Sequence, residues 1–194
     1  MQKHIRLIKN IFLDIRYGGK FLGGTIKTKF AALGAKNTSN SDYGTLNYIF
    51  ADIVKPNDVL VDVGCGKGRV INFWLSKRYE NNIIGLELDN RVANFTKKRL
   101  KPYKKVSIIS GDAIKNLPSE GTIFYLYNPF DEGNMIRFRE RIWEIFSGSG
   151  SITIVYYNCI HLNVFENDSR WVIKEIKNDY LIKPTVIIQI NSDE

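Results

Sequence analysis

The chain has 194 residues, 44% of them apolar and 12% aromatic, which suits one globular domain with its own core and excludes global disorder. No apolar run approaches the roughly 18–20 residues of a membrane-spanning helix, and the N-terminus lacks the features of a signal peptide. Two cysteines, Cys65 and Cys159, are too few for a disulfide framework or a zinc site. We therefore expect a cytoplasmic protein without a bound metal.

Positive charge is concentrated at the N-terminus. The formal net charge is +8, and residues 1–44 hold eight lysines and arginines against two aspartates. Such asymmetry suggests an anionic partner for this segment, which could be nucleic acid, a nucleotide, a phosphorylated small molecule or an anionic surface. The alternative is a basic arm that only keeps the protein soluble.

Residues 3–16 are predicted to form an amphipathic helix, because Ile5, Ile8, Phe12 and Ile15 fall on one helical face. Such a helix could lie on a membrane surface. Packing of its apolar face against the domain's own core is the more common arrangement, and it is the one that we expect here.

The following residues, 17–44, have no sustained periodicity and are rich in Gly, Lys, Thr, Asn and Ser. Loops of this length inside a compact domain are usually functional or disordered. The segment enters a helix that should run away from the edge of the sheet where ligands bind, so the segment begins at that edge. We therefore predict an N-terminal unit over residues 1–44, a basic helix followed by a lid, and a second unit over residues 45–194.

From residue 45 onward, helical and extended patterns alternate. Alternation through five strands requires a parallel sheet with right-handed crossovers, and the last two strands are predicted as an antiparallel hairpin. The expected fold is therefore an α/β three-layer sandwich with a seven-stranded, mostly parallel sheet. The predicted helices are 45–54, 70–75, 90–100, 135–146 and 160–166, and the predicted strands are 59–63, 83–87, 106–109, 122–127, 152–157, 171–177 and 185–190.

A glycine-rich loop joins the first strand to the next helix. Gly64, Gly66 and Gly68 allow the backbone to turn tightly and to approach a ligand without interference from a Cβ. A dinucleotide-binding loop, G-x-G-x-x-G, would need its third glycine at position 69, where this chain has Arg69. A nicotinamide cofactor is therefore disfavoured.

The sequence from Asp62 to Gly68, D-V-G-C-G-K-G, instead resembles motif I of the class I S-adenosylmethionine-dependent methyltransferases. The resemblance runs from about residue 43 to residue 190 and implies a Rossmann-like methyltransferase fold. In that family an acidic residue at the end of the second strand binds both ribose hydroxyls, and Glu87 matches it. An aspartate after the third strand accepts the adenine amino group, and Asp112 matches it.

The resemblance therefore implies S-adenosyl-L-methionine as the cofactor. Structural explanations compete at four positions: Asp62 could hold the amides of the loop, Glu87 could be a surface carboxylate at the strand end, Asp112 could form a turn, and Cys65 could be a small buried filler. The implied cofactor site consists of the loop, the two acidic positions with the residues after them, a covering tyrosine and the turn after the fourth strand: Tyr43, Asp62, Gly64, Cys65, Gly66, Gly68, Glu87, Leu88, Asp112, Ala113 and Asn128.

The turn Asn128-Pro129-Phe130 resembles the (Asn/Asp)-Pro-Pro-aromatic motif of amino-group methyltransferases. There, oxygen atoms accept hydrogen bonds from a planar NH₂ group and the aromatic ring stacks on it. This chain has one proline and its aromatic residue comes one place early, so a purely structural turn is an equal alternative. His161, beyond the fifth strand, is a candidate general base by placement, although capping or packing is the commoner role.

The predicted function is transfer of a methyl group from S-adenosylmethionine to an unidentified acceptor, with nitrogen slightly favoured as the acceptor atom. Protein lysine, nucleic acid or nucleotide, and a small metabolite stay open as acceptors. Two other functions compete: an inactive scaffold that binds nucleic acid through its basic N-terminus, and, less favoured, a nicotinamide-dependent oxidoreductase. Cofactor binding and turnover distinguish the three.

Overall fold

A computed structural model of the protein describes residues 2–37, 39–148, 152–177, 181 and 183–191. Within these residues the helices are α1 (Gln2–Gly18), α2 (Tyr43–Ile49), α3 (Arg69–Ser76), α4 (Asn90–Leu100), α5 (Glu132–Phe146) and α6 (Asn163–Glu166), and a 3-10 turn spans Ala31–Leu33. The strands are β1 (Val59–Val63), β2 (Asn82–Glu87), β3 (Val106–Ser110), β4 (Ile123–Tyr127), β5 (Thr153–Tyr157), β6 (Trp171–Glu175) and β7 (Thr185–Ile190).

The seven strands form one sheet in the order β3-β2-β1-β4-β5-β7-β6. Strands β1 to β5 are parallel to their neighbours within that group, whereas β7 runs antiparallel to both β5 and β6. The predicted seven-stranded α/β fold with a terminal antiparallel hairpin is therefore confirmed.

Alternate residues of each inner strand point to opposite faces of the sheet. Both sets are apolar, so helices cover both faces. Val61 and Val63 of β1 belong to the apolar cluster that contains Phe138 of α5. Leu60 belongs to the cluster on the other side, with Trp74 of α3. The carboxyl ends of the parallel strands meet at one edge between these layers, where ligands of open α/β sheets bind.

Helix α2 differs from its predicted bounds at both ends. The side chain of Asp42 accepts a hydrogen bond of 2.8 Å from the amide of Gly44, which caps the helix and starts it at Tyr43 rather than at residue 45. The helix ends at Ile49, and the apolar residue Ile53, which prolonged the helical pattern in the sequence, lies in a turn.

The expectation that the apolar face of α1 packs against the core is wrong. Its four residues, Ile5, Ile8, Phe12 and Ile15, are between 51% and 66% exposed. The opposite face lies against the domain, where Asp14 is fully buried. A polar contact therefore decides which side of α1 faces inward.

That contact is made by the carboxylate of Asp14, which accepts four hydrogen bonds. Asp14 accepts from Nε of Arg69 at 3.0 Å and from its Nη2 at 2.6 Å. It also accepts from the hydroxyl of Tyr43 at 3.0 Å and from the amide of Leu22 at 3.0 Å. These bonds connect α1 to α2, to α3 and to the segment that follows α1, so one buried side chain joins four parts of the chain.

We predict that Asp14→Asn lowers the free energy of unfolding by about 3–5 kcal/mol, because it leaves the buried guanidinium of Arg69 without its counter-charge. Urea unfolding monitored by circular dichroism measures this change.

The control is Glu80→Gln, which removes the exposed ion pair between Glu80 and Lys105. Exposed pairs contribute little to stability, so the control should unfold at nearly the urea concentration of the unaltered protein. Equal effects of the two substitutions would contradict a stabilising role for Asp14.

Candidate functional site

A cavity of about 430 Å³ opens at the carboxyl edge of the sheet. Residues that follow four neighbouring strands line it: Gly64 after β1, Glu87 at the end of β2, Asp112 after β3 and Asn128 after β4. The rest of the wall includes residues between α1 and α2, numbers 19–42, which we call the cover segment. Because these parts of the chain converge at the edge where α/β folds bind ligands, the cavity is the candidate site.

The glycine loop is in close contact with the turn after β4. Gly64 has a φ of +78°, and a Cβ at this position would lie 3.1 Å from Cβ of Pro129. The amides of Gly64 and Cys65 both donate to the carbonyl of Leu86, at 2.9 and 2.8 Å. A side chain at position 64 would therefore strain the backbone and crowd the cavity wall.

Helix α4 holds the carbonyl groups of the same loop. The Thr96 hydroxyl donates to the carbonyl of Gly66 at 2.8 Å, and Nη2 of Arg99 donates to the carbonyl of Lys67 at 2.7 Å. The Nζ of Lys67 in turn donates to the carbonyls of Gly23 and Gly24, at 2.6 and 2.7 Å. The loop is thus fixed on one side by α4 and tied on the other to the cover segment.

Glu87 lines the cavity with its carboxylate held by two backbone amides. Its Oε2 accepts from the amide of Gly66 at 2.8 Å, and its Oε1 accepts from the amide of Asp89 at 2.9 Å. Each carboxylate oxygen can accept a second hydrogen bond, so both keep a free lone pair. Burial raises the pKa of Glu87 above its ordinary value. The geometry suits a ligand with two adjacent hydroxyl groups.

Asp62 is buried in β1 below the glycine loop, and its Oδ2 has no hydrogen-bond partner among the described residues. Burial, followed by the nearby charge of Glu87, raises the pKa of Asp62 to about 8. Without a ligand, this carboxyl therefore holds its proton at neutral pH. A buried oxygen that has no partner and lies near a cavity can bind a hydrogen-bond donor or a cationic group of a ligand.

Asp112 forms the turn that the sequence offered as its structural role, and its place in the cavity wall leaves the cofactor role a prediction. Its Oδ1 accepts a turn-forming hydrogen bond of 2.9 Å from the amide of Ile114, and the residue also lines the cavity. Its Oδ2 lies 4.0 Å from Nη2 of Arg137 on α5. The turn thus orients the carboxylate, and its Oδ2 faces the guanidinium group of Arg137.

The turn after β4 is built around Asn128, whose φ of 42° is uncommon for a residue other than glycine. The hydroxyl of Tyr156 donates to Oδ1 of Asn128 at 3.0 Å and accepts from the amide of His161 at 3.3 Å. This bond orients the side-chain amide of Asn128 and leaves one lone pair on its oxygen. The ring of Phe130 lies 5.7 Å from that of Phe138, so it packs on α5 while lining the cavity.

The cover segment contacts the turn after β4 through its backbone. The carbonyl of Gly34 accepts from the amide of Asp131 at 3.1 Å, and the amide of Lys36 donates to the carbonyl of Pro129 at 3.4 Å. Gly34 has a φ of +76°, and a Cβ there would lie 2.2 Å from Oδ2 of Asp131. The position therefore requires glycine for the segment to approach α5 this closely.

The cavity wall contains some of the residues implied by the resemblance and not others. Gly64, Glu87, Leu88, Asp112, Ala113, Asn128, Pro129 and Phe130 line it. Tyr43, Asp62, Cys65, Gly66, Gly68 and His161 do not. Tyr43 is directed to Asp14, and the buried thiol of Cys65, whose pKa burial raises, lies 2.9 Å from where a Cβ of Gly85 would be.

Sequence reasoning missed Arg137 and Lys67 as contributors to the site. The apolar pattern placed the start of α5 near residue 135, whereas Asp131 caps it and Glu132 begins it. An earlier start puts Arg137 in the second turn, close to the edge of the sheet. The Asp at the N-cap was the signal that could have located this start.

The fold matches solved methyltransferase structures. The RNA methyltransferase from Salinibacter ruber, crystallised in complex with S-adenosyl-L-homocysteine, has a TM-score of 0.61 and 19% identity, and the match covers 80% of this chain and 95% of that chain. The protein therefore has the Rossmann-like fold of the class I S-adenosylmethionine-dependent methyltransferases.

Parts of the chain also match two curated methyltransferases. The ribosomal RNA small subunit methyltransferase A of Dehalococcoides mccartyi is 36% identical over 78 residues, which are 40% of this chain and 26% of that protein. The H3 lysine-79 specific histone-lysine N-methyltransferase of Dictyostelium discoideum is 34% identical over 65 residues, 34% of this chain and 4% of that protein. Each match thus spans a minor part of the relative. No protein-family model matches the chain.

We predict that the free energy of unfolding falls less steeply with rising pH in Asp62→Asn than in the unaltered protein. With a pKa of about 8, the folded state keeps a proton on Asp62 that the unfolded state, with an ordinary value of 3.8, has lost. The free energy of unfolding should therefore fall between these two pH values, by up to about 1.4 kcal/mol per pH unit. Urea unfolding at pH 5, 6, 7 and 8 measures the slope.

The matched comparison is Asp168→Asn, because the hydrogen bond from Arg170 holds the pKa of Asp168 at about 2. The ionised form of Asp168 is stabilised in the folded state. Asp168→Asn should therefore lower the free energy of unfolding at pH 7, whereas Asp62→Asn should raise it. Parallel curves for Asp62→Asn and the unaltered protein would show that Asp62 is ionised in the folded state.

Proposed function

We propose that the protein is a methyltransferase that binds S-adenosylmethionine in the cavity and transfers its methyl group to a nitrogen atom of an acceptor that carries phosphate. One observation carries this proposal: Gly64, Glu87, Asp112 and Asn128, from four consecutive strand ends, line a single cavity in a chain with the class I methyltransferase fold.

The described residues fit that cofactor. Glu87 keeps one lone pair on each carboxylate oxygen for the two ribose hydroxyls, and Asp112 offers a carboxylate for the adenine amino group. Gly64 leaves room for close approach of a ligand to the loop. The carboxyl groups that line the wall favour a cationic ligand. When bound, S-adenosylmethionine supplies an electrophilic methyl group.

A nitrogen acceptor agrees with the chemistry of the cavity wall. A neutral nitrogen attacks with its own lone pair and needs no strong base beforehand, whereas a hydroxyl does. The free lone pair on Oδ1 of Asn128 can accept a hydrogen bond from such an N–H group and orient it. The chain then contributes mainly alignment and the exclusion of water.

The cover segment supplies positive charge for the acceptor. Lys27 and Lys36 line the cavity from this segment, and Arg137 does so from α5. Lysine and arginine are the common partners of phosphate, so these three side chains favour a phosphate-bearing acceptor, whether a nucleotide, a nucleic acid or a phosphorylated small molecule. Because the segment is part of the wall, we expect it to open for ligands and to close for the reaction.

We predict that Glu87→Gln weakens binding of S-adenosylhomocysteine by about 1–3 kcal/mol, because the hydroxyls lose a charged acceptor. Isothermal titration calorimetry measures the dissociation constant. Glu144→Gln, on the exposed part of α5, is the control and should bind like the unaltered protein.

Three results would count against the proposed function. An unchanged dissociation constant in Glu87→Gln would remove Glu87 from the cofactor site. Absence of heat with both S-adenosylmethionine and S-adenosylhomocysteine, together with binding of NADH, would favour the oxidoreductase instead. Cofactor binding without methyl transfer to nucleotides, nucleic acid, protein lysine or small metabolites would favour the inactive scaffold.

We predict that Lys27→Gln combined with Lys36→Gln weakens binding of phosphate-bearing probes to the complex with S-adenosylhomocysteine by about tenfold, since two charge-assisted contacts are lost. Three probes separate the sources of phosphate: inorganic pyrophosphate, a nucleoside monophosphate and a single-stranded oligonucleotide. The difference should shrink at high salt.

Lys29→Gln is the matched control, because Lys29 is an exposed lysine of the same segment that does not line the cavity. An equal loss in this control would assign the effect to net charge. Unaltered binding in the double variant would leave the acceptor without a phosphate contact at these lysines.

A further inference from the structure

The outer face of α1 is apolar and faces solvent. Ile5, Ile8, Phe12 and Ile15 recur at intervals of three and four residues, and each is more than half exposed. The other face of the helix contacts α2 and α3, where Asp14 forms its buried ion pair. Contiguous exposed apolar surface usually marks an interaction site. We call these four side chains the α1 stripe.

Positive charge flanks the α1 stripe without negative charge beside it. Lys9 and Arg16 are exposed, and each lies one turn beyond a residue of the stripe, Ile5 and Phe12. Asp14 is the acidic residue of α1, and it is buried and neutralised by Arg69. The exposed surface of the helix therefore combines an apolar centre with a basic margin.

The basic and apolar surface continues beyond the end of α1. The hydroxyl of Tyr103, which follows α4, donates to the carbonyl of Tyr17 at 3.1 Å, so the end of α4 adjoins the end of α1. The Nζ of Lys20 lies 5.3 Å from the ring centroid of Phe95. Lys20, Phe21 and Phe95 are exposed in this region, and α4 with the residue after it also exposes Lys97, Lys98 and Lys101.

We propose that α1 docks on the surface of an anionic lipid bilayer, with the α1 stripe inserted at the level of the headgroups and its basic margin against lipid phosphates. Helices that lie in the interface have this combination of an apolar face and Lys or Arg beside it. Within the described residues no helix is long and apolar enough to cross a membrane.

Charge and size favour lipid over the other occupants. A second copy of the chain, paired antiparallel through α1, would place the basic margins of both helices, with Lys9 and Arg16, on the same side of the pair. Four side chains of a single helix also fall short of the roughly 20–30 residues per partner in stable interfaces. Nucleic acid would satisfy the basic side chains but would leave the apolar stripe without a partner.

Co-sedimentation with vesicles tests the proposal on the full chain. We expect binding to phosphatidylcholine vesicles that contain about 30 mol% phosphatidylserine, and much weaker binding to pure phosphatidylcholine. Ile8→Ser combined with Phe12→Ser should reduce the partition coefficient at least about tenfold. Lys9→Gln combined with Arg16→Gln should reduce it less and should lower its sensitivity to salt.

Val172→Ser, which alters an exposed apolar side chain on β6, is the control and should keep full vesicle binding. Affinity for S-adenosylhomocysteine should stay unchanged in all three variants, which makes the test independent of the proposed methyl transfer and verifies folding. No binding to anionic vesicles, or binding that the Ile8/Phe12 variant retains, would overturn the proposal. So would a dimer in sedimentation velocity that this variant dissociates.

Discussion

The buried ion pair between Asp14 and Arg69 determines how the N-terminal part of the chain is placed. Removing two charges from water is costly, and the pair is stable here because Asp14 also accepts from Tyr43 and from the amide of Leu22. Arg69 directly follows Gly68, so the same contact fixes the helix that leaves the glycine loop. The cover segment, the loop and α1 consequently share one anchor.

The cavity has carboxyl groups on one side and lysines on the other. Glu87 and Asp62 are buried near one another beside the glycine loop, and both have raised pKa values because burial disfavours their charged forms. Lys27 and Lys36, by contrast, come from the exposed cover segment at the other wall. The part of the cavity next to Glu87 therefore suits hydroxyl donors, and the part next to Lys27 and Lys36 suits an anion.

The sheet and the strand-end residues could be predicted because both depend on local patterns. The apolar runs located every strand of the sheet, and the rule that carboxyl ends of parallel strands share an edge brought Gly64, Glu87, Asp112 and Asn128 together. Periodicity alone could not tell which face of α1 points inward, because the pattern shows amphipathicity and not the partner.

Other features depended on contacts between residues far apart in the sequence. In the sequence, Arg69 showed only that the third glycine of a dinucleotide-binding loop is absent. Its pairing with Asp14 joins residues 55 positions apart, which no local pattern reveals. The hydrogen bond from Tyr156 to Asn128 crosses from β5 to the turn after β4. Arg137 was missed because a one-turn error in the start of α5 moves its side chains relative to the sheet edge.

The order of strands in the sheet has a consequence for biosynthesis. Strand β7 is inserted between β5 and β6, although both precede it in the chain. Until the ribosome has released residues 185–190, β5 presents an unpaired backbone edge next to a buried apolar row that includes Ile154 and Val155. Open edges of this kind pair readily with other chains. A nascent chain in which β7 has not yet joined the sheet is therefore prone to aggregate through the open edge of β5.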